Sequence, residues 1–197
     1  MQIRSFHKVA LAAAMIVLTA CAGDAPLAPT SRAVDVNHEL FAATNPGTGA
    51  VADTAWGTMI VGPQGGNWVF GEHKINFPAN SICDMSQTNY FAWGQSCTPI
   101  TSDVRIDLKW WRDAAGHPHV DFTPALRFQP TRKGEVTLYL KDQAAAKAQS
   151  PVIGYCAVDL FCVDESGLDN ALQTKRDAKG GFVYRIIRHF SGYNVWA

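Results

Sequence analysis

Asp103-Val104-Arg105-Ile106-Asp107-Leu108-Lys109-Trp110-Trp111 alternates between two kinds of side chain. Val104, Ile106, Leu108 and Trp110 fall on one side of an extended chain, and Asp103, Arg105, Asp107 and Lys109 on the other. Successive strand residues point to opposite faces, so a period of two predicts a strand with one face in a core and one in water. Residues 135–141 repeat the pattern: Val136, Leu138 and Leu140 alternate with Glu135, Thr137, Tyr139 and Lys141. By the same alternation Trp110 is the buried member of the tryptophan pair and Trp111 faces out or lies beneath a loop.

Working outward, shorter apolar runs read as strands at 58–61, 67–70, 74–77, 120–122, 125–128, 182–188 and 193–196, with a hairpin or a pair of short strands across 152–163. Turn signals separate them, among them Gly62-Pro63-Gln64-Gly65-Gly66 and Asp113-Ala114-Ala115-Gly116. Residues 142–148 and 168–173 have room for a turn or two of helix. With 16 Gly, 10 Pro and no long amphipathic helix, the pattern predicts an all-β fold, an antiparallel β-sandwich over residues 53–197. Six Trp and 10 Phe supply its core.

The first 52 residues read differently. Arg4 and Lys8 precede an apolar run at 9–20, and small residues then lead to a cysteine, the order of a secretory signal. The run is well short of the ~20 residues a membrane-spanning helix needs. Leu18-Thr19-Ala20-Cys21 resembles a bacterial lipobox. The resemblance implies that residues 1–20 are a signal peptide, that Cys21 becomes the first residue and carries lipid, and that membrane lipid is a partner. Ala22 in the next position implies the outer membrane of the cell envelope, where the cell has one. Residues 21–52, rich in Ala, Pro, Thr, Gly and Asn, read as a flexible tether. Seventeen basic residues balance seventeen acidic ones, so the chain has no basic excess for nucleic acid.

With Cys21 assigned to lipid, Cys83, Cys97, Cys156 and Cys162 remain. An even remainder in an oxidising compartment predicts two disulfides with three possible connectivities, of which the two local pairs are favoured. Closing the longer loop contributes about 3 kcal/mol through chain entropy. The rival, a four-cysteine zinc site, lacks the close cysteine spacing such sites use.

Val61-Gly62-Pro63-Gln64-Gly65-Gly66, followed by Ile75-Asn76-Phe77-Pro78-Ala79-Asn80-Ser81-Ile82, resembles the opening of a ZU5-type domain. Phe122-Thr123-Pro124-Ala125-Leu126-Arg127-Phe128 is similar to that family's following segment. Asn80 and Ser81 stand where the family has Gly-Ala. The resemblance implies a β-sandwich that serves as an interaction or structural module.

His189-Phe190-Ser191 is similar to the self-cleavage motif of some ZU5-containing death-domain adaptors and of a nucleoporin. The resemblance implies cleavage of the Phe190–Ser191 bond by an N-to-O acyl shift, with Ser191 as nucleophile and His189 as base. That chemistry needs an activated hydroxyl beside a base and donors for the oxyanion. The plainer reading puts the tripeptide in an ordinary final strand, with Phe190 in the core and its neighbours facing away.

His117-Pro118-His119 with Asp121 has metal-ligand types, though a turn and a proline favour solvated histidines. Trp68, Trp93, Trp110 and Trp111 are candidates for stacking on sugars, with packing the commoner role. No nucleophile elbow, phosphate loop, dinucleotide fingerprint or HExxH is present. The sequence thus predicts no cofactor and no metal. It leaves a lipid-anchored, non-enzymatic binding or envelope-structural module with an envelope protein or glycan as partner, or a domain that cuts itself.

Overall fold

The structure is a computed structural model that describes residues 54–131, 134–156 and 162–197. The signal segment, Cys21 and the tether lie outside the described residues. In chain order the strands are β1 (Ala55–Val61), β2 (Gly66–Phe70), β3 (His73–Phe77), β4 (Val104–Arg112), β5 (Pro118–Thr123), β6 (Val136–Lys141), β7 (Val152–Cys156), β8 (Cys162–Val163), β9 (Lys175–Asp177), β10 (Phe182–Ile187) and β11 (Gly192–Trp196). They form two antiparallel sheets, β1-β4-β5-β11-β7-β8 and β2-β3-β6-β10-β9. The fold is therefore the all-β sandwich that the alternation predicts.

The period-two residues build the core between the sheets. Ile106 and Leu108 of β4 face Val136, Leu138 and Leu140 of β6, all buried. Each such side chain contributes about 1.5–3 kcal/mol by leaving water. Trp110 is half-buried and packs edge-on against Phe70, with ring centroids 5.6 Å apart. Trp111 lies on the opposite face and stacks on His119 at 5.0 Å.

One short helix, α1 (Gln143–Lys147), follows β6. Asp142 caps it by accepting from the Ala145 amide at 2.9 Å. Among the described residues no helix is long and apolar enough to cross a membrane. In the Gly-Gly turn Gly65 has φ 65, and a Cβ there would collide with the Phe77 carbonyl. Asn80 also takes positive φ, 60, a conformation asparagine tolerates better than most residues.

Two local expectations change. Residues 125–128 do not continue the sheet. They make isolated bridges, Phe128 to Ile82 and Arg127 to His189, because here the chain leaves β5 to run beneath the final crossover. Strand β9 has no signal in the sequence. Its three residues, Lys175–Asp177, are all exposed and polar, so no alternation marks them, and backbone pairing to β10 alone defines it.

The cysteines pair locally, Cys83–Cys97 and Cys156–Cys162, in place of a zinc site. The first disulfide ties the 83–99 loop to itself. Arg127 donates to the Asn89 and Gln95 carbonyls and Gln129 to the Cys97 carbonyl, which fixes the loop across the end of the sandwich.

Candidate functional site

His189, Phe190 and Ser191 are the crossover itself: β10 ends in one sheet at Ile187 and β11 begins in the other at Gly192. They are not part of a regular final strand. Each flanking peptide is nevertheless held. The Phe128 amide donates to the Arg188 carbonyl (2.8 Å), Phe190 donates to Leu126 (2.8 Å), and Phe122 donates to the Ser191 carbonyl (3.1 Å). Phe190 drops into the core, stacked on Phe122 at 4.2 Å and edge-on to Phe128 at 4.8 Å and Phe77 at 5.9 Å.

His189 is fully buried between the sheets. Its Nε2 lies 2.8 Å from Glu165 Oε1, and the other oxygen of Glu165 takes Arg185 Nη2 at 2.9 Å. Arg185 also donates to the Ile153 carbonyl at 2.6 Å. All three side chains are at most 2 % exposed, so the network is a buried one. With Arg185 donating to one oxygen, the other oxygen of Glu165 is placed to accept from Nε2–H, and in that tautomer of the neutral ring Nδ1 carries a lone pair. Nδ1 is buried and has no hydrogen-bond partner among the described residues.

Aromatic rings wall the imidazole. Trp93 stacks on it at 4.3 Å and Tyr155 meets it edge-on at 4.4 Å. The Trp93 indole Nε1 is likewise buried without a partner. The Tyr90 hydroxyl donates to the Phe190 carbonyl, the carbonyl of the Phe190–Ser191 bond, at 2.9 Å. Burial pushes the Tyr90 phenol up to about 12, with Tyr155 and Glu165 adding to the effect, so it remains a donor at any ordinary pH. Tyr193 donates to the His189 carbonyl from the other side. Ser191 Oγ donates to the Cys156 carbonyl at 2.9 Å, next to the Cys156–Cys162 disulfide.

Around the Phe190 carbonyl and the His189 ring the structure gathers three groups that sequence reasoning missed, Tyr90, Glu165 and Arg185, together with Trp93, which the sequence offered only for sugar stacking, while Ser191 Oγ turns to the Cys156 carbonyl. Tyr90 and Trp93 had one visible signal, aromatics inside an otherwise polar, cysteine-flanked loop. Glu165 had none. A lone acid in a 3₁₀ turn, Glu165–Gly167, becomes central only through the tertiary fold.

The histidine pair does not form a metal set. His117 Nδ1 reaches Asp142 at 2.7 Å and His119 Nε2 reaches Asp113 at 3.3 Å, so each has its own carboxylate. Among the described residues no three His, Cys, Asp or Glu side chains cluster for a metal ion.

No family model matches the chain, and neither a curated protein nor a solved structure is significantly similar to it.

Proposed function

We propose that the chain is a lipid-anchored, extracytoplasmic interaction module whose β-sandwich cuts itself at the Phe190–Ser191 crossover. Anchoring rests on the export segment and Leu18-Thr19-Ala20-Cys21. The interaction-module reading rests on the ZU5-type resemblance of residues 61–82 and 122–128. The observation that carries the cleavage reading is the Tyr90 hydroxyl on the Phe190 carbonyl, next to a histidine with an unpartnered ring nitrogen. An otherwise unpartnered Nδ1 sits on His189, and a neutral phenol is already on the Phe190 carbonyl.

In this reading Ser191 Oγ leaves the Cys156 carbonyl by side-chain rotation and gives its proton to His189 Nδ1. Oγ then bonds to the Phe190 carbonyl carbon, and the oxyanion accepts from Tyr90. Collapse breaks the C–N bond, and the departing amine takes the proton from His189. The resulting ester joins Phe190 to Ser191 Oγ. One water hydrolyses it to a Phe190 carboxylate and a free amino-terminal Ser191. Glu165 holds the imidazole in the required tautomer throughout.

Ser191→Ala is expected to leave the chain uncut. Tyr90→Phe is expected to slow cleavage by about 10²–10³, the effect of losing one oxyanion donor. Time-resolved intact mass of freshly refolded protein measures both. A Tyr90→Phe rate equal to wild type removes the phenol from the chemistry.

A second reading has its own observation. The Ser191 hydroxyl donates to Cys156 and the imidazole to Glu165, so the same residues also describe a buried joint between the sheets without bond breakage. An uncut wild-type chain selects it.

A further inference from the structure

Strand β1 is a sheet edge without the usual protection. Among the described residues it pairs only with β4, so alternate amide and carbonyl groups along its seven residues point away from the sheet. Ala55-Trp56-Gly57-Thr58-Met59-Ile60-Val61 holds no lysine, no proline and no acidic residue. The other edges differ. Strand β8 is two residues long, β9 is three charged residues, and β2 is five residues that open on Gly66 at positive φ. Short length and charge keep a free edge from pairing with another chain, and β1 has neither. On its outer face Trp56 is 55 % exposed and Ile60 51 %.

The same strand is complementary to itself. Laid antiparallel on a second copy about a two-fold at Thr58, all seven residues pair, outward side chains with outward and inward with inward. Trp56 then meets Ile60 twice, and Thr58 meets Thr58. Aromatic with β-branched, and threonine with threonine, are favourable cross-strand pairs. On the inner side an apolar cleft of about 190 Å³ opens beside Gly57, lined by Met59, Phe70, Leu108 and Trp110. The pairing sets Met59 of the second copy opposite Gly57, at the mouth of this cleft. Charge does not oppose the contact. Arg105 and Asp107, next to the seam on β4, bind each other at 2.9 Å, and the Thr58 hydroxyl donates to Asp107 at 2.6 Å. Seventeen basic and seventeen acidic residues leave no net charge to hold copies apart.

We propose that β1 is the docking edge for a second copy of this chain, the two six-stranded sheets joining antiparallel about Thr58 into one continuous sheet. The exposed backbone groups of each edge satisfy those of the other, and the Trp56–Ile60 pairs close over the outer side of the seam. The partner is another molecule of the same module. The contact is independent of cleavage, since β11 lies three strands in from β1.

Sedimentation velocity of the full chain in detergent tests it. A dimer is expected at about 100 μM that dissociates on dilution toward about 1 μM, as suits a contact of one strand pair. Thr58→Lys sets two ammonium groups opposite each other across the two-fold and is expected to weaken the dimer by about tenfold or more. Thr137→Lys, on the outer face of the other sheet, should leave the dimer as in wild type, which separates docking at β1 from two chains sharing a micelle. Register is read by cross-linking with diamide, which takes two electrons and two protons from two thiols as they form one disulfide. Thr58→Cys is expected to give a covalent dimer on non-reducing gels above the wild-type background, because 58 meets 58. Ile60→Cys should not, because 60 meets 56. A wild-type monomer at the highest concentration overturns the proposal, as does a dimer that Thr58→Lys leaves intact or equal cross-linking at 58 and 60.

Discussion

Phe190 and His189 are adjacent and both fully buried, for opposite reasons. Phe190 fills a cluster of rings, so Phe190→Ala should cost about 3–5 kcal/mol in urea unfolding. His189 is buried because Glu165 and Arg185 satisfy its Nε2 side. Glu165→Ala would strand a buried guanidinium and is expected to destabilise by about 3–5 kcal/mol, far beyond the effect at an exposed acid such as Glu72. Equal urea midpoints for Glu165→Ala and Glu72→Ala would mean that the network does not hold the fold.

Two other residues contribute large, opposing slopes to the pH response. Burial lowers His73 from 6.5 to about 4, with Arg112 adding to the effect and Glu72 opposing it. Its contribution is complete above the unfolded value and is lost as pH falls from about 6.5 to about 4, roughly 3 kcal/mol in all. Asp121 runs the other way. Its folded value is raised from 3.8 to about 6, so its penalty is full above pH 6 and relieved toward 3.8. The two slopes oppose each other between about pH 4 and 6. Asp121→Asn should therefore be more stable than wild type at pH 7, by about 1–2 kcal/mol, with the advantage shrinking by pH 4. Urea midpoints at the two pH values check it. A difference that does not vary with pH would remove Asp121 as the cause.

At the scale of elements, most of the sandwich was legible. Strands β4 and β6 announce themselves because one face is core and the other water, and the turn or two of helix expected over 142–148 is α1. What was not legible lacked that two-sided contrast. Strand β9 is polar throughout. Residues 125–128 carry apolar side chains, yet their backbone serves two different partners. For the site, His189, Phe190 and Ser191 were readable as a motif, but their surroundings were not. Tyr90 and Glu165 reach the crossover from 100 and 24 residues away, through the 83–99 loop and a 3₁₀ turn. The loop is the element on which this placement depends. Replacing Cys83 and Cys97 together by serine should lower stability by about 3 kcal/mol through loop entropy, and should free Tyr90 from the Phe190 carbonyl. Faster amide exchange confined to residues 83–99 in the double variant is the expected signature. Unchanged exchange there would mean that Arg127 and Gln129 suffice to hold the loop.

At the scale of the whole molecule, the account joins an amino-terminal address to a carboxy-terminal crossover. Cys21→Ala is expected to move the protein from the membrane to the soluble fraction of the envelope. Retention on the membrane would contradict the lipid anchor. Cleavage would leave the anchor and the sandwich in one piece and residues 191–197 in another. That short piece is β11 and its ends, paired on both sides by β5 and β7. It would thus stay docked and be invisible to a native measurement. The most direct test is therefore the intact mass of the wild-type chain under denaturing conditions. The account predicts two species, one ending at Phe190 and a peptide beginning at Ser191, whose masses sum to the uncut chain plus one water. A single unbroken chain after prolonged incubation of the folded protein would contradict it.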